Sequence, residues 1–281
     1  MVHIISDTST LYSSSEARDA GFTVAPLSVN IGGRTYREFD DIDSERFVDL
    51  IRQGDMPTSS QPSIGDVAER YDRFPGEEVI DIAMAHGLSA TYDSAVAAKA
   101  LCEDGDRITV VNTRTLCGPH RYLVERAVVW AKEGLSKAAI LEKLNKLMDS
   151  AKSFLVPADF DYLRRGGRLS PLVSYVGQAV HLTPVMTQTD DGGRLTIAGI
   201  RRGFPHAFKF IAKALEKYGV GKGWKVYITH AAAKETAEKA LAILKQALPE
   251  VSFEIHPLSP VFITQGGPGC VAVQCIRADI S

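Results

Sequence analysis

Three short polar segments contain the residue types that bind an anion. They are Asp7-Thr8-Ser9, residues 57–63 (PTSSQPS) and residues 87–92 (GLSATY). Hydroxyl groups donate hydrogen bonds to an anion, and the unpaired amides and the dipole at a helix N-terminus favour negative charge. Each segment taken singly is explained by helix capping. An anion site follows only if the fold gathers the segments, as it does for loops at the carboxyl ends of parallel strands.

Ser89 is also a candidate nucleophile, because Gly87-Leu88-Ser89 begins like the GxSxG elbow of serine hydrolases. Thr91 stands where that motif has its second glycine, and the strained elbow needs a small residue there. A serine esterase or thioesterase that uses Ser89 is therefore the weaker, alternative function. Covalent labelling of Ser89 by a fluorophosphonate tests it.

Two glycine-rich stretches do not indicate a nucleotide site. Residues 219–223 (GVGKG) precede a predicted strand, whereas a dinucleotide-binding fingerprint follows one. Residues 266–269 (GGPG) lack the Lys-Ser/Thr of a phosphate-binding loop and are typical of a backbone turn.

Arginines form two groups, one around the Gly166-Gly167 pair and one at Arg201-Arg202. They are either solvated surface charges or a contact patch for a partner protein or a phosphate-bearing species.

Composition excludes several classes of protein. The 281 residues carry 32 Lys and Arg against 34 Asp and Glu, for a net charge of -2, so no basic excess exists to bind nucleic acid. The N-terminal sequence lacks a basic region, and no apolar stretch approaches the roughly 18 residues that span a bilayer. The four cysteines have no CxxC spacing, so we expect reduced thiols and no metal site. A cytoplasmic protein without stable membrane insertion is expected.

Apolar β-branched runs alternate with helical patterns in the first half of the chain. Strands are predicted at 2–6, 22–31, 34–38, 78–85 and 108–111, and helices at 44–54, 64–74, 92–101, 119–133 and 136–150. This alternation favours a parallel sheet with helices on both faces.

The pattern changes beyond residue 152. A hairpin is predicted from 181–188 and 194–201 around Asp190-Asp191-Gly192-Gly193. Further strands are predicted at 154–156, 225–230, 251–258 and 269–276, and helices at 159–167, 205–218 and 234–248. We therefore predict two α/β domains, residues 1–151 with a parallel sheet and residues 152–281 with a mixed sheet. The apolar segments 176–182 and 208–215 are equally consistent with lining a ligand and with ordinary core.

Several of these segments, in this order and spacing, resemble the DegV family. The resemblance covers essentially the whole chain and is carried by Ser6-Asp7-Thr8, Pro26-Leu27-Ser28-Val29, Asp40-Asp41-Ile42, and the segments at 57–63, 87–92, 162–170 and 267–269. It implies a DegV-like α/β fold of two domains with a long-chain fatty acid, such as palmitate, stearate or oleate, buried between them. It also implies that no other cofactor is needed.

The family resemblance further implies a role in fatty acid activation. The chain is similar to the fatty-acid-binding subunit of bacterial fatty acid kinase, which presents the carboxylate to a separate ATP-dependent kinase subunit for acyl-phosphate formation. On this analogy, the carboxylate is bound by Ser89, Ser59 or Ser60, backbone amides at Ala90 and Thr91, and Gln265. Contacts to the head group or the kinase partner would come from His86, Arg168, Arg201 and Arg202.

The chain departs from the family pattern at three of these positions. Gln265 stands where the family usually has His, and it can donate a hydrogen bond but cannot carry charge. Ala90 replaces the usual Gly, and His86 the usual Ser, so that His86 either supplies the missing imidazole or simply packs. Binding of the acid is still expected, whereas its phosphorylation is more open. A third hypothesis is an interaction protein whose arginines bind a partner and whose cleft is vestigial.

Overall fold

The computed structural model describes residues 1–171, 173 and 182–279. Up to residue 151, strands alternate with helices as the hydrophobic pattern predicts. The elements are β1 (Val2–Asp7), α1 (Ser14–Ala20), β2 (Thr23–Ala25), β3 (Ser28–Ile31), β4 (Arg34–Arg37), α2 (Ser44–Arg52), β5 (Thr58–Ser60), α3 (Ile64–Tyr71), β6 (Glu78–Ala83), α4 (Thr91–Leu101), β7 (Ile108–Asn112), α5 (Cys117–Lys132) and α6 (Lys137–Met148).

The first large sheet is parallel throughout, with strand order β2-β1-β6-β7. Alternate residues of its strands enter two different cores because successive side chains point to opposite faces. Ile4 and Ile80 pack in the core that contains α5, whereas Ile5 and Val79 pack with side chains of α3 and α4. The predicted parallel sheet with both faces covered is confirmed.

The second large sheet is mixed and follows residue 151. Its elements are β8 (Lys152–Val156), α7 (Phe160–Gly166), β9 (Thr183–Gln188), β10 (Leu195–Arg201), α8 (Phe204–Tyr218), β11 (Trp224–His230), α9 (Lys234–Ala247), β12 (Ser252–Pro257), α10 (Pro260–Gly266) and β13 (Val271–Arg277). The strand order is β10-β9-β8-β13-β11-β12. β11 and β12 are parallel and the other pairs antiparallel, including the predicted hairpin of β9 and β10. The predicted fold class is confirmed.

A third, three-stranded antiparallel sheet of order β4-β3-β5 corrects two predictions. Residues 22–31 are not one strand, because the chain leaves the parallel sheet after Ala25 and begins β3 at Ser28. Pro26 lies in the gap and has no amide proton for a ladder. Residues 58–60, predicted as loop, form β5. Their polar side chains give no strand pattern, and pairing with β3 decides their conformation.

Two helices were not predicted. The helix α1 begins with a capping box, in which the Ser13 hydroxyl accepts from the Glu16 amide and the Glu16 carboxylate accepts from the Ser13 amide. The Ser-x-x-Glu spacing is a sequence signal for that start. The helix α10 has a proline at its N-terminus and is almost entirely buried, so it shows no amphipathic period.

Helix α5 lies between the two large sheets. Its Leu123 and Tyr122 belong to a core that also contains Ile80 of the parallel sheet and Tyr227 and Ile276 of the mixed sheet. A Cβ at Gly118, in the first turn of α5, would overlap the side chain of Tyr227. The two large sheets lie on either side of residue 152 in the sequence, but they share this core. The division into domains 1–151 and 152–281 stays a prediction.

The structure also bears on the two apolar segments. Residues 208–215 lie in α8, and Phe208, Ile211 and Leu215 pack in the core beneath the mixed sheet. Residues 176–181 lie outside the described residues. Among the residues that the structure describes, no helix combines the length and apolar character of a membrane span.

Candidate functional site

A cleft lies between residues from both halves of the chain. It encloses about 980 Å³ of space between atoms, including the part open to solvent. Its apolar wall comes from both sides of residue 152, for example Leu27, Met84, Leu155, Met186 and Phe262. Such a wall suits a hydrocarbon, because removing apolar surface from water is favourable.

Polar side chains from three separate elements line one part of this cleft, which we call the polar end. The strand β5 places Ser59 and Ser60 at the wall, the segment before α4 places Ser89, and the last turn of α10 places Gln265. The Gln265 side-chain amide donates to Ser59 Oγ at 3.1 Å. Gln265 Oε1 is buried and has no hydrogen-bond partner among the described residues.

Ser89 is held from the start of α4. Its Oγ lies 2.8 Å from Thr91 Oγ1 and accepts from the Thr91 amide at 3.3 Å. Ala90 is the N-cap residue of α4 and Thr91 its first residue, so both stand behind Ser89 instead of lining the cleft. In the part of the chain that the structure describes, no histidine hydrogen-bonds to Ser89.

Arg168 connects the turn after α7 to the segment that carries Ser89. Its Nε donates to the Leu88 carbonyl at 3.1 Å and its Nη1 to the Gly166 carbonyl. The side chain lines the cleft, and burial lowers the pKa of its guanidinium. A Cβ at Gly166 would overlap Gln265 Oε1. Arg168 therefore lies beside the polar end formed by Ser89 and Gln265.

A buried carboxyl anchors α10 from its other end. Glu38 Oε2 accepts from the Val261 amide at 3.0 Å, and Glu38 Oε1 accepts from the hydroxyl of Thr8. Thr8 Oγ1 in turn accepts from the amide of Leu27, a cleft residue, at 3.0 Å. Burial raises the pKa of the Glu38 carboxyl to about 7, although these hydrogen bonds lower it in part. Glu38 thus joins the N-terminal elements to the helix that carries Gln265.

The Asp7-Thr8-Ser9 segment has a structural role and lies away from the cleft lining. Asp7 accepts from the amides of Ser9 and Met84, at 2.8 and 3.0 Å. Ser9 Oγ lies 2.6 Å from Nδ1 of the buried His120, whose Nε2 lies 2.9 Å from the Ile82 carbonyl. Because a carbonyl only accepts, Nε2 carries the proton and Nδ1 accepts from Ser9. Burial lowers the pKa of His120, which favours this neutral form.

The three polar segments therefore meet only in part. Residues 57–63 and 87–92 both contribute to the polar end, but the first does so from an antiparallel sheet and not from the end of a parallel strand.

The remaining predicted residues lie outside the cleft lining as described. His86 is exposed and pairs with Asp93 at 3.1 Å. Arg201 lies 4.0 Å from the ring centre of Phe210, and Arg202 is exposed at the start of the turn into α8.

Among the described residues that line the cleft, four polar ones were not predicted: Ser153, Thr187, Gln188 and Gln274. Gln274 and Ser153 face each other across β13 and β8, and Gln274 is 1% exposed. Each sits in a strand whose pattern suggests core alone. The signal was the presence of Gln in an otherwise apolar strand, since a buried polar side chain requires partners. Among the described residues, no group of acidic, histidine or cysteine side chains could hold a metal ion.

Comparison with known proteins agrees with this architecture. A family model described as uncharacterised proteins of the DegV family matches residues 1–278. A DegV domain-containing protein of Caldanaerobacter subterraneus is 30% identical over 256 residues, which are 90% of each chain. One from Staphylococcus aureus strain N315 is 28% identical over 257 residues, 90% of this chain and 91% of that one.

Solved structures show the same fold. A fatty-acid-binding DegV family protein of Thermus thermophilus superposes with a TM-score of 0.87 at 27% identity, covering 98% of this chain and 99% of that chain. A DegV lipid-binding protein of Thermotoga maritima superposes with a TM-score of 0.85 at 25% identity, covering 100% and 99%. From the family match along nearly its full length, the chain belongs to the DegV family.

Proposed function

We propose that this protein binds one long-chain fatty acid in the cleft, with the carboxylate at the polar end. The observation that carries the proposal is the combination of an apolar wall with a polar end built by Ser59, Ser89 and Gln265. The Thermus thermophilus relative, described as binding fatty acid, supports the same use of the fold.

The acyl chain supplies most of the affinity in this proposal. Burying about 15 methylene groups is worth roughly 12 kcal/mol before ordering costs. The polar end then keeps the carboxylate from losing its hydrogen bonds. Ser59 Oγ already accepts from Gln265, so its own proton is available to a carboxylate oxygen. Ser89 and Ser60, which also line the cleft, complete the set.

We propose further that the bound carboxylate is presented to a separate ATP-dependent kinase for acyl-phosphate formation. In this proposal Arg168, beside the polar end, contacts the phosphate group, and Arg201 and Arg202, which lie outside the cleft lining, contact the kinase. All four cysteines are free thiols, which supports a reducing, cytoplasmic compartment.

The binding proposal is tested with denaturing mass spectrometry of an organic extract, on protein purified without added lipid. A stoichiometric fatty acid supports it, and the mass gives the chain length. Delipidated protein should then take up palmitate, and Ser89→Ala should weaken uptake more than Ser15→Ala, a change at an exposed serine outside the cleft. An empty extract together with no uptake of palmitate or oleate would refute the proposal.

The kinase proposal needs its own experiment. Loaded protein is incubated with ATP and the fatty acid kinase subunit of the same bacterium, and acyl phosphate is trapped with hydroxylamine. Product that depends on this protein supports presentation of the carboxylate. Tight binding of the fatty acid without formation of acyl phosphate would refute the kinase proposal and indicate a fatty-acid carrier.

A further inference from the structure

The floor of the cleft is one face of the mixed sheet, and strand register orders its residues. Leu155 of β8 lies opposite Ala272 of β13, and Ser153 lies opposite Gln274. The Leu155–Ala272 row is next to the polar end, because a Cβ at Gly266 would lie 3.8 Å from Leu155 Cδ1. The Ser153–Gln274 row is two residues further along the strands, about 6.7 Å away.

Along the strands, the floor therefore changes from the apolar Leu155–Ala272 row to the polar Ser153–Gln274 row. Gln274 is held firmly, since its Nε2 donates to Ser153 Oγ and to the Leu116 carbonyl, both at 3.2 Å. Its Oε1 accepts from the Gly118 amide at 3.2 Å. With Ser153 Oγ used as an acceptor, the Ser153 proton has no acceptor among the described residues.

The neighbouring strand β9 adds an acceptor beside the same row. Met186 lies opposite Leu155 of β8, so Gln188, two residues further along β9, has its side chain on the same face of the sheet as Ser153. Gln188 Nε2 donates to the carbonyls of Arg114 and Gly192, at 3.1 and 3.3 Å, which leaves its side-chain oxygen able to accept. The row thus offers one donor and one acceptor to a ligand.

A second depression begins where this row ends. It shares Ser153, Thr187 and Gln188 with the cleft and extends to Lys152 and Arg114, enclosing about 510 Å³ including space open to solvent. A plain hydrocarbon that reached this row would displace water from the Ser153 hydroxyl without replacing its hydrogen bond. An unmade hydrogen bond of this kind disfavours binding.

We propose that the cognate ligand is an oxygenated fatty acid, whose chain carries a hydroxyl group bound by Ser153 and Gln188. This inference rests on the proposed fatty-acid binding and narrows its substrate class. A hydroxyl group both donates and accepts, so it matches the donor of Ser153 and the acceptor of Gln188. The carboxylate occupies the polar end at Gln265, and the chain hydroxyl occupies the Ser153–Gln274 row.

The test compares stearate with a series of hydroxystearates that differ in the position of the hydroxyl group. Dissociation constants are measured on delipidated protein by calorimetry. At least one isomer should bind roughly threefold to tenfold more tightly than stearate, as expected for one neutral hydrogen bond. Ser153→Ala should abolish that preference, because it removes the hydroxyl that distinguishes the two ligands, so that stearate and the best-bound hydroxystearate have equal dissociation constants.

Ser252→Ala, at an exposed serine on the far edge strand β12, is the matched control and should keep the preference. Gln188→Leu serves as a second variant if Ser153→Ala folds poorly, and it should reduce the preference as well. Tight binding of stearate with no hydroxystearate bound more tightly would overturn this inference and leave the proposed function intact. Binding of neither ligand would overturn both.

Discussion

The side-chain amide of Gln265 donates to the hydroxyl of Ser59 over 3.1 Å, although the two residues are 206 positions apart in the sequence. Because the Ser59 hydroxyl accepts this hydrogen bond, its own proton is available to be donated to another group at the polar end. Gln265, which stands where the family pattern usually has histidine, thus acts as a hydrogen-bond donor. In the proposed complex, the carboxylate accepts hydrogen bonds from neutral groups, and Arg168, bonded to the Leu88 carbonyl, lies beside them.

Replacing Gln265 with leucine should weaken palmitate binding roughly tenfold, the usual range for one hydrogen bond in a site that binds a charged group. The melting temperature should not fall, since the change also removes the unpaired, buried Oε1. Fluorescence displacement and thermal melting measure the two effects. Gln53→Leu, at the exposed C-cap of α2, is the control. Unchanged palmitate affinity in Gln265→Leu would remove Gln265 from the site.

Gly87→Ala should disturb the cleft through the backbone. A Cβ at Gly87 would overlap the backbone of Gly193 in the β9–β10 turn, so the segment carrying Ser89 must move away from the hairpin. We expect a loss of roughly 1–3 kcal/mol in the free energy of unfolding, as for overpacked sites, together with weaker palmitate binding. Urea denaturation and calorimetry measure both.

The matched control for Gly87→Ala is Gly65→Ala in α3, where a Cβ meets nothing within 4 Å. It should leave stability equal or higher by roughly 0.5–1 kcal/mol, because alanine favours a helix. Equal behaviour of the two variants would contradict the close approach of Gly87 to Gly193.

Glu38 should make stability depend on pH. Its folded-state pKa of about 7 lies above the ordinary value of 4.5, so its contribution is full below pH 4.5 and is lost as the pH rises through 7. Glu38→Gln does not titrate. The free energy of unfolding of the natural protein, relative to Glu38→Gln, should therefore fall by up to about 3 kcal/mol between pH 4.5 and 8.5.

Urea denaturation across that pH range measures the difference between the two proteins. Glu45→Gln, an exposed carboxyl in the first turn of α2, is the control and should show almost no such trend. A difference between natural protein and Glu38→Gln that stays constant with pH would show that Glu38 is ionised throughout.

Arg168→Lys should weaken palmitate binding although the charge is kept. Lysine cannot reproduce the two directed contacts of the guanidinium to the Leu88 and Gly166 carbonyls. We expect a loss of roughly threefold to tenfold, from about one hydrogen bond. Arg52→Lys, at an exposed pair with Asp49, should have no effect. Full affinity in Arg168→Lys would show that its charge alone is sufficient.

The sequence by itself determined most of the two large sheets. Hydrophobic periods locate β1, β6 and β7 with their covering helices, and the Asp-Gly turn locates the β9–β10 hairpin, because these signals are local. The polar composition of segments 57–63 and 87–92 predicts them as candidate anion-binding segments. Together with segment 162–170, they carry the resemblance to the DegV family. A local sequence pattern predicts a helix or strand correctly where the side chains of that element determine its conformation.

The tertiary structure alone decided how those segments meet. Ser59 belongs to a strand through its pairing with β3, and Gln265 reaches Ser59 from α10, whose other end is bonded to Glu38. The Ser153–Gln274 row depends on the register of β8 and β13, 121 positions apart. Contacts between residues so far apart in the sequence produce no hydrophobic periodicity that could predict them. Each partner fits the pattern of its own strand or helix, and burial in the folded chain selects which partners pair.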